Sequence, residues 1–371
     1  MKILYITTIG VTMGFFKSFI KEQLDIGNQI DIATNENDGK DIVPSCYREW
    51  GCKVFHIDTS RSPINFGNIR AIKQIRDIVS KNHYDIVHCH TPLAATATRI
   101  ACRPLRKHGV KVIYTAHGFH FYTGAPVKNW IMYYPVEWLC SWFTDIIITI
   151  NREDYKRAKN NFHAQKVEYV PGVGIDLAKF NTMPHITGKK REKMGFAKDD
   201  ILLLSVGELS DRKNQNAVIQ ALAKMDNKNV HYLLCGTGSK KDYLFELAKK
   251  NGISNRVHML GYRNDINEIC QISDLFVFPS KQEGLPVALM EAIACRLPVI
   301  CSNIRGNNDL VTLKKYLFDY NDIDKVKMCI ENAINKLSTL REEQKTLYNN
   351  LTEYSLGNVI RIMSEIYNKC K

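Results

Sequence analysis

Glu283 and Glu291 stand eight positions apart in Pro279-Ser-Lys-Gln-Glu-Gly-Leu-Pro-Val-Ala-Leu-Met-Glu-Ala292, a segment whose residue types can hold a polyhydroxylated anion. The spacing predicts a strand ending at Pro279, a loop carrying Glu283 and Gly284, and a helix starting near Pro286, where the missing N–H is tolerated. The free first-turn amides of Leu285, Val287 and Ala288 then make an anion site without a charged side chain. Glu291, one and a half turns into the helix, can accept hydrogen bonds from two vicinal hydroxyls, as on a ribose. Glu283, in the loop, can reach hydroxyls of a sugar beyond the phosphates. Two other readings of the pair stand beside this one: a general acid/base pair for hydrolysis, and two solvated helix glutamates.

Two further segments point to the same chemistry. Ser205-Val-Gly-Glu-Leu-Ser-Asp-Arg-Lys-Asn214 places Gly207 at a strand end and Lys213 at the start of the following helix, where a cation can meet phosphates. Cys235-Gly-Thr-Gly-Ser239 sets Gly236 and Gly238 in another strand-end turn, where a base or ribose can come close to the backbone. Each is also what an ordinary βα turn looks like. Jointly they describe a nucleoside diphosphate pocket.

The elements that must position these residues are legible as an alternation of short β-branched runs and helix-like stretches. Strands are expected at Ile3–Thr7, Gln29–Ala33, Lys53–Ile57, Ile86–Cys89, Lys111–Thr115, Asp145–Ile150 and Val167–Val170, with amphipathic stretches such as Phe15–Asp25, Ile69–Ser80 and Asn151–Asn161 between them. Pro171-Gly-Val-Gly-Ile-Asp176 and the polar, basic stretch to Asp200, with Pro184 and Gly188, read as a linker. The alternation then resumes, with strands at Ile201–Val206, Val230–Cys235, Val257–Leu260, Leu275–Phe278 and Pro298–Cys301. This is α/β architecture, two doubly wound parallel-sheet domains. Such sheets bind ligands at their strands' carboxyl ends, so the expected site lies in an interdomain cleft. The expected division is residues 1–175, residues 176–345, and a C-terminal helix, 346–371, packing back on the first domain.

Charge and composition narrow the partners. Lys and Arg total 51 against 38 Asp and Glu, a net charge of +13, which favours anionic partners. Between Asp85 and Glu137 no acidic residue occurs, while Arg99, Arg103, Arg106, Lys107, Lys111 and Lys128 all do, so that stretch is expected to form a positive face. Directly after it come Trp130, Tyr133, Tyr134, Trp138 and Trp142. Aromatics beside cations suit an interfacial helix at lipid headgroups; they equally suit a core helix. No finger, basic zipper or aromatic RNA-binding pattern accompanies the charge, so no nucleic acid partner is expected. No apolar run approaches a membrane span and no signal peptide is read, so the chain is expected to be cytoplasmic. The 11 cysteines show no C-x-x-C pair or metal spacing and read as reduced thiols. The only D-x-D, Asp322-Ile-Asp324, precedes a helix, where Asp is a favoured cap, and is rejected as a metal site. No metal or other cofactor is expected.

The sequence resembles the retaining GT-B glycosyltransferases of family 4, from Met1 to about Val311. The likeness is most specific at Phe278-Pro-Ser280, at Glu283 through Glu291, and at Ala294-Cys-Arg-Leu-Pro-Val299. Thr115-Ala-His-Gly-Phe-His-Phe-Tyr-Thr-Gly-Ala-Pro126 is especially similar to members that build bacterial exopolysaccharide and capsule repeat units. The resemblance implies that Glu283 faces the donor sugar, that Glu291 holds the ribose, and that Lys213 and the amides near Gly284 and Leu285 bind the diphosphate. It implies too that His117 sits over the donor sugar beside the reacting carbon and that the Gly14 loop leaves room for diphosphate or acceptor. Many relatives carry Arg at the position of Glu208, and Arg212 and Arg305 are candidates to replace its charge. Arg296 stands where a small residue is usual.

The implied activity is transfer, with retention, of a hexose or N-acetylhexosamine from a nucleotide-diphosphate sugar, UDP first among them. The implied acceptor is a polyprenyl-diphosphate-linked sugar, met by Arg99, Arg103, Arg106, Lys107, Lys128, Trp130 and Trp138 on the inner face of the membrane. An NAD-dependent oxidoreductase is the alternative of another class, although Thr7-Thr-Ile-Gly-Val-Thr-Met-Gly14 lacks the G-x-G-x-x-G order. A non-catalytic subunit that binds sugar nucleotide or lipid-linked glycan is the third reading.

Overall fold

A computed structural model describes residues 1–36, 42–62, 65–180 and 187–370. The chain divides into two compact units, Met1–Val173 with Val359–Lys371, and Gly174–Asn358. Each is built on one parallel sheet.

In the first unit the strands are β1 (Lys2–Ile9), β2 (Gln29–Asn35), β3 (Val54–His56), β4 (Ile86–His90), β5 (Lys111–Ala116), β6 (Ile146–Thr149) and β7 (Lys166–Tyr169), in the order β3-β2-β1-β4-β5-β6-β7. Every residue of β4 and β6 is buried, as expected of a parallel sheet whose faces are both covered. Strand order reverses between β1 and β4, so their carboxyl ends diverge around an opening. Residues that close the unit come from the far end of the chain. The Leu356–Asn368 helix brings Tyr367 against β1 and β4, where its hydroxyl lies 2.7 Å from that of Tyr5 and 2.6 Å from His88 Nδ1.

The second unit holds β8 (Ile201–Val206), β9 (Val230–Cys235), β10 (Val257–Gly261), β11 (Leu275–Phe278), β12 (Val299–Ser302) and β13 (Leu317–Phe318), in the order β10-β9-β8-β11-β12-β13. Here the reversal falls between β8 and β11. The expected strands match these within one or two residues, except the two-residue β13, which is too short to show a periodicity.

One expectation is corrected. The stretch read as an irregular linker contains a helix, Thr187–Lys193. Tertiary ion pairs hold it: Lys190 Nζ reaches Asp265 at 2.8 Å and Glu268 at 2.5 Å, and Arg191 reaches Asp274 at 3.1 Å. Pro184 lies outside the described residues. The C-terminal division also shifts, since residues 346–358 belong to the second unit. The cysteines are all unpaired, most of them buried. No helix among the described residues is long and apolar enough to cross a membrane.

Candidate active site

In the second unit, the loops leaving β8 and β11 are tied together and bring their charges to one point. Asn214, with φ 57°, precedes the Gln215–Ala223 helix, and its Nδ2 donates to the carbonyls of Pro279 (3.1 Å) and Tyr320 (3.3 Å). The adjacent Lys213 Nζ donates to Glu283 Oε1 at 2.8 Å, and Arg212 Nη1 donates to the same oxygen at 3.1 Å. Lys213 also lies 4.7 Å over the Phe278 ring. Burial lowers the pKa of its ammonium, and Glu283 opposes that shift. Arg305, itself buried, fixes the loop by donating Nε to the Glu283 carbonyl at 3.0 Å. Gly306 permits the approach: a Cβ there would meet the Gly284 carbonyl oxygen at 2.3 Å.

The Val287–Ala294 helix begins directly after this loop, with Pro286 as N-cap and no side chain capping its first turn. Its first amides therefore have no partner that the helix can supply. Leu285 is buried beneath them. Glu291 is largely enclosed, and burial pushes its carboxyl up to about 7. The turns that leave β8 and β9 meet closely. A Cβ on Gly236 (φ 142°) would fall 1.9 Å from the Gly207 carbonyl oxygen, and Gly238 lies as tightly against the Leu209 backbone. Glu208 turns outward, its carboxylate 61% exposed and 4.0 Å from Arg212. Arg212 sets a cation beside Glu283, and Arg305 lies against the same loop. Of the two rival readings, a pair of solvated helix glutamates does not fit: Glu283 is 9% exposed and accepts from two cations, and Glu291 is only partly exposed.

In the first unit, His117 follows β5, half-buried, with its Nε2 3.1 Å from His90 Nδ1. Burial lowers its pKa to about 4, so the ring is neutral at pH 7. The segment after it is held by the first turn of the Arg152–Asn161 helix: the Phe119 amide donates to Asp154 Oδ2 (3.0 Å) and the Thr123 amide to Glu153 Oε1 (2.7 Å). Asn151 caps that helix, accepting from the Asp154 amide at 2.8 Å. Gly14 is exposed in a 3₁₀ turn, Gly10–Phe16, with open space where a Cβ would stand.

These two constellations can be set beside known proteins. Residues 2–151 match the family described as Glycosyl transferase 4-like, and residues 187–354 match Glycosyl transferases group 1. EpsD of Bacillus subtilis (strain 168), named as a glycosyltransferase, is 33% identical over 99% of this chain and 96% of its own length. The chain belongs to the GT4-like glycosyltransferases. A further relative of this glycosyltransferase is the UDP-Gal:alpha-D-GlcNAc-diphosphoundecaprenol alpha-1,3-galactosyltransferase of Escherichia coli, 31% identical over 69% of this chain and 70% of the relative. The Anabaena protein HepE, solved in complex with UDP, shares its fold with a TM-score of 0.81 at 18% identity over the whole of both chains. The fold is GT-B, two Rossmann-like parallel-sheet domains.

The expected acceptor face of the glycosyltransferase needs correction. Arg99 is fully buried, its Nη1 2.8 Å from Glu137 Oε2 and its guanidinium 4.3 Å over the Tyr114 ring. A charge so enclosed is structural. Arg106 is committed as well, donating to both oxygens of Asp145 (3.0 and 2.9 Å) and to the Trp142 carbonyl (3.0 Å). Arg103, Lys107 and Lys128 remain exposed, with Arg103 4.6 Å over the Phe143 ring. The Val127–Ser141 helix divides the aromatics: Trp130, Tyr133 and Tyr134 pack on the core, whereas Trp138 and, just beyond the helix, Trp142 are exposed. Val127, Ile131, Met132, Val136 and Leu139 are exposed too, so the helix shows an unpartnered apolar face.

Sequence reasoning missed His90, Asn214 and Asp154. His90 had a visible signal, because His88-Cys-His90 puts two histidines on the same face at a strand's carboxyl end. Asn214 and Asp154 act through local backbone geometry that spacing does not announce.

Proposed function

We propose that this glycosyltransferase transfers a hexose or N-acetylhexosamine, with retention, from a UDP-sugar to a polyprenyl-diphosphate-linked sugar during exopolysaccharide or capsule assembly. The observation that carries the reading is the Lys213–Glu283–Arg212 cluster beside an uncapped helix start, at the point where strand order reverses. Lys213, Arg212 and the helix amides bind the diphosphate, Glu291 the ribose, and Glu283 the hydroxyls of the transferred sugar. His117 contacts that sugar as a neutral group. No protein nucleophile is assigned; the departing phosphate assists deprotonation of the acceptor hydroxyl on the same face, and the enzyme contributes position and charge stabilisation. Metal plays no part in this scheme. The names of the relatives support the donor and acceptor classes: the galactosyltransferase uses UDP-Gal and a diphosphoundecaprenol acceptor, and HepE was solved with UDP-glucose. Incubating purified protein with a panel of nucleotide sugars, with and without chelator, tests the scheme. Donor hydrolysis that persists in chelator supports it; strict dependence on added manganese overturns the diphosphate site described here.

The enclosed Glu291 adds a pH signature. Its folded carboxyl titrates near 7, and hydroxyls donating to it favour the ionised form. Donor affinity is therefore full above that value and is lost as pH falls through it, by about tenfold at pH 6. Glu291→Gln weakens binding and flattens the dependence. Calorimetry with the nucleoside diphosphate at pH 6, 7 and 8 measures both.

The lipid-linked acceptor places the enzyme at the inner face of the cell membrane, with the apolar face of the Val127–Ser141 helix and the exposed Arg103, Lys107 and Lys128 as the contact. Flotation with phosphatidylglycerol vesicles is expected at low salt, weakened at high salt, and reduced several-fold in Ile131→Glu. A protein that stays at the bottom of the gradient under both conditions contradicts this placement.

A further inference from the structure

We propose that His90 is a positioning residue for His117, bonding its Nε2 so that the Nδ1–H is the atom presented to substrate. The inference rests on the reading of His117 as the group that contacts the transferred sugar, and it names how that contact is prepared.

The placement of His90 is over-determined. It ends β4 in register with Thr115 of β5, two residues before His117, so the two imidazoles leave neighbouring strands side by side. The His90 ring is 2% exposed, with the Phe16 ring 4.3 Å away, His88 at 4.2 Å, and Tyr5 stacked at 5.4 Å. Thr91, the next residue, has φ 64° and ψ 137°, a conformation that a β-branched residue adopts only under constraint. The constraint is visible: the Thr8 amide donates to Thr91 Oγ1 at 3.1 Å, and the two threonine hydroxyls lie 2.7 Å apart. Strain is thus retained at the point where His90 leaves its strand.

The proton inventory then decides the direction of the 3.1 Å bond between the rings. Burial, with His88 and His117 nearby, holds His90 well below the usual histidine pKa, so each ring is neutral and carries one N–H. If His117 Nε2–H were the donor, His90 would carry its own proton on Nε2, an atom that is buried and has no hydrogen-bond partner. An orphaned buried N–H is among the rarest features of folded proteins. With His90 Nδ1–H donating, the buried Nε2 is a bare lone pair, and His117 must carry its proton on Nδ1. No described residue bonds that Nδ1. His117 therefore presents one N–H, in a fixed orientation, able to donate to a hydroxyl oxygen of the sugar without any proton transfer.

Long-range ¹⁵N–¹H spectra of the full-length protein labelled in histidine read the tautomer directly. The wild type is expected to show His117 protonated at Nδ1. In His90→Phe the ring should revert to the Nε2–H form that histidine favours in water, with kcat reduced about 10²-fold and nucleoside diphosphate affinity unchanged. His90→Asn, whose amide nitrogen can stand in for the imidazole Nδ1, should restore the Nδ1–H signal and most of the turnover. Tyr367→Phe, which removes bonds to His88 and Tyr5 on the far side of the cluster, should leave the His117 tautomer as in the wild type. Nε2–H His117 in the wild type, or a His90→Phe protein with unaltered tautomer and turnover, overturns the inference. Normal transfer by folded His117→Ala instead overturns the functional reading beneath it, whichever tautomer is observed.

Discussion

Glu283→Gln and Lys213→Met are expected to fail in opposite ways. Lys213 and Arg212 both donate to Glu283 Oε1, so in the ligand-free protein the carboxylate neutralises the two cations that we propose bind the diphosphate. Glutamine keeps the shape and one acceptor but removes the charge. Nucleoside diphosphate should then bind more tightly, because it no longer competes with a carboxylate for Lys213 and Arg212, while transfer falls because the sugar has lost a charged acceptor. Methionine at 213 keeps the stem packed on Phe278 but removes the ammonium. Nucleoside diphosphate affinity and turnover should both drop, with kcat/KM lower by about 10²–10³, the loss typical of one preorganised donor aimed at developing charge. Binding of the bare nucleoside should not change. Calorimetry with nucleoside, nucleoside diphosphate and sugar nucleotide separates the cases. Weaker nucleoside diphosphate binding in Glu283→Gln would show that the ion pair builds the site rather than occupying it.

Much of this architecture was legible in the sequence because parallel strands covered on both faces are short, continuous apolar runs, and the punctuation between them is chemical. Glu283, Lys213 and the Gly236 turn were each legible on a segment that follows a strand's carboxyl end, the side on which a doubly wound sheet binds ligands. What escaped notice depended on contacts between distant segments. The basic helix Thr187–Lys193 looked like a linker because its acidic partners, Asp265, Glu268 and Asp274, lie more than 70 residues away. Arg99 looked like a surface cation because its counter-charge is on a different helix. His90 went unread because its role depends on a neighbouring strand, and spacing along one strand cannot show which atom the next strand offers.

The reassignment of Arg99 carries the second large effect. Glu137 is 4% exposed, accepts from the Tyr114 hydroxyl at 3.1 Å, and faces a guanidinium with no exposure to water. Removing it strands a buried charge. Glu137→Leu is expected to destabilise the first unit by about 3–5 kcal/mol, measured as a shift in its denaturant midpoint. Arg99→Met alone leaves a carboxylate that Tyr114 still contacts and should cost less. The double variant replaces the pair by apolar groups of similar volume and should recover most of the loss, since the two desolvation penalties disappear together. Flotation of the double variant is the deciding measurement. If Arg99 only holds the Val127–Ser141 helix to the sheet, a refolded double variant floats with anionic vesicles as the wild type does. If vesicle binding is lost while stability is recovered, Arg99 is one of the cations that meet the lipid, and the burial described here is not its whole role.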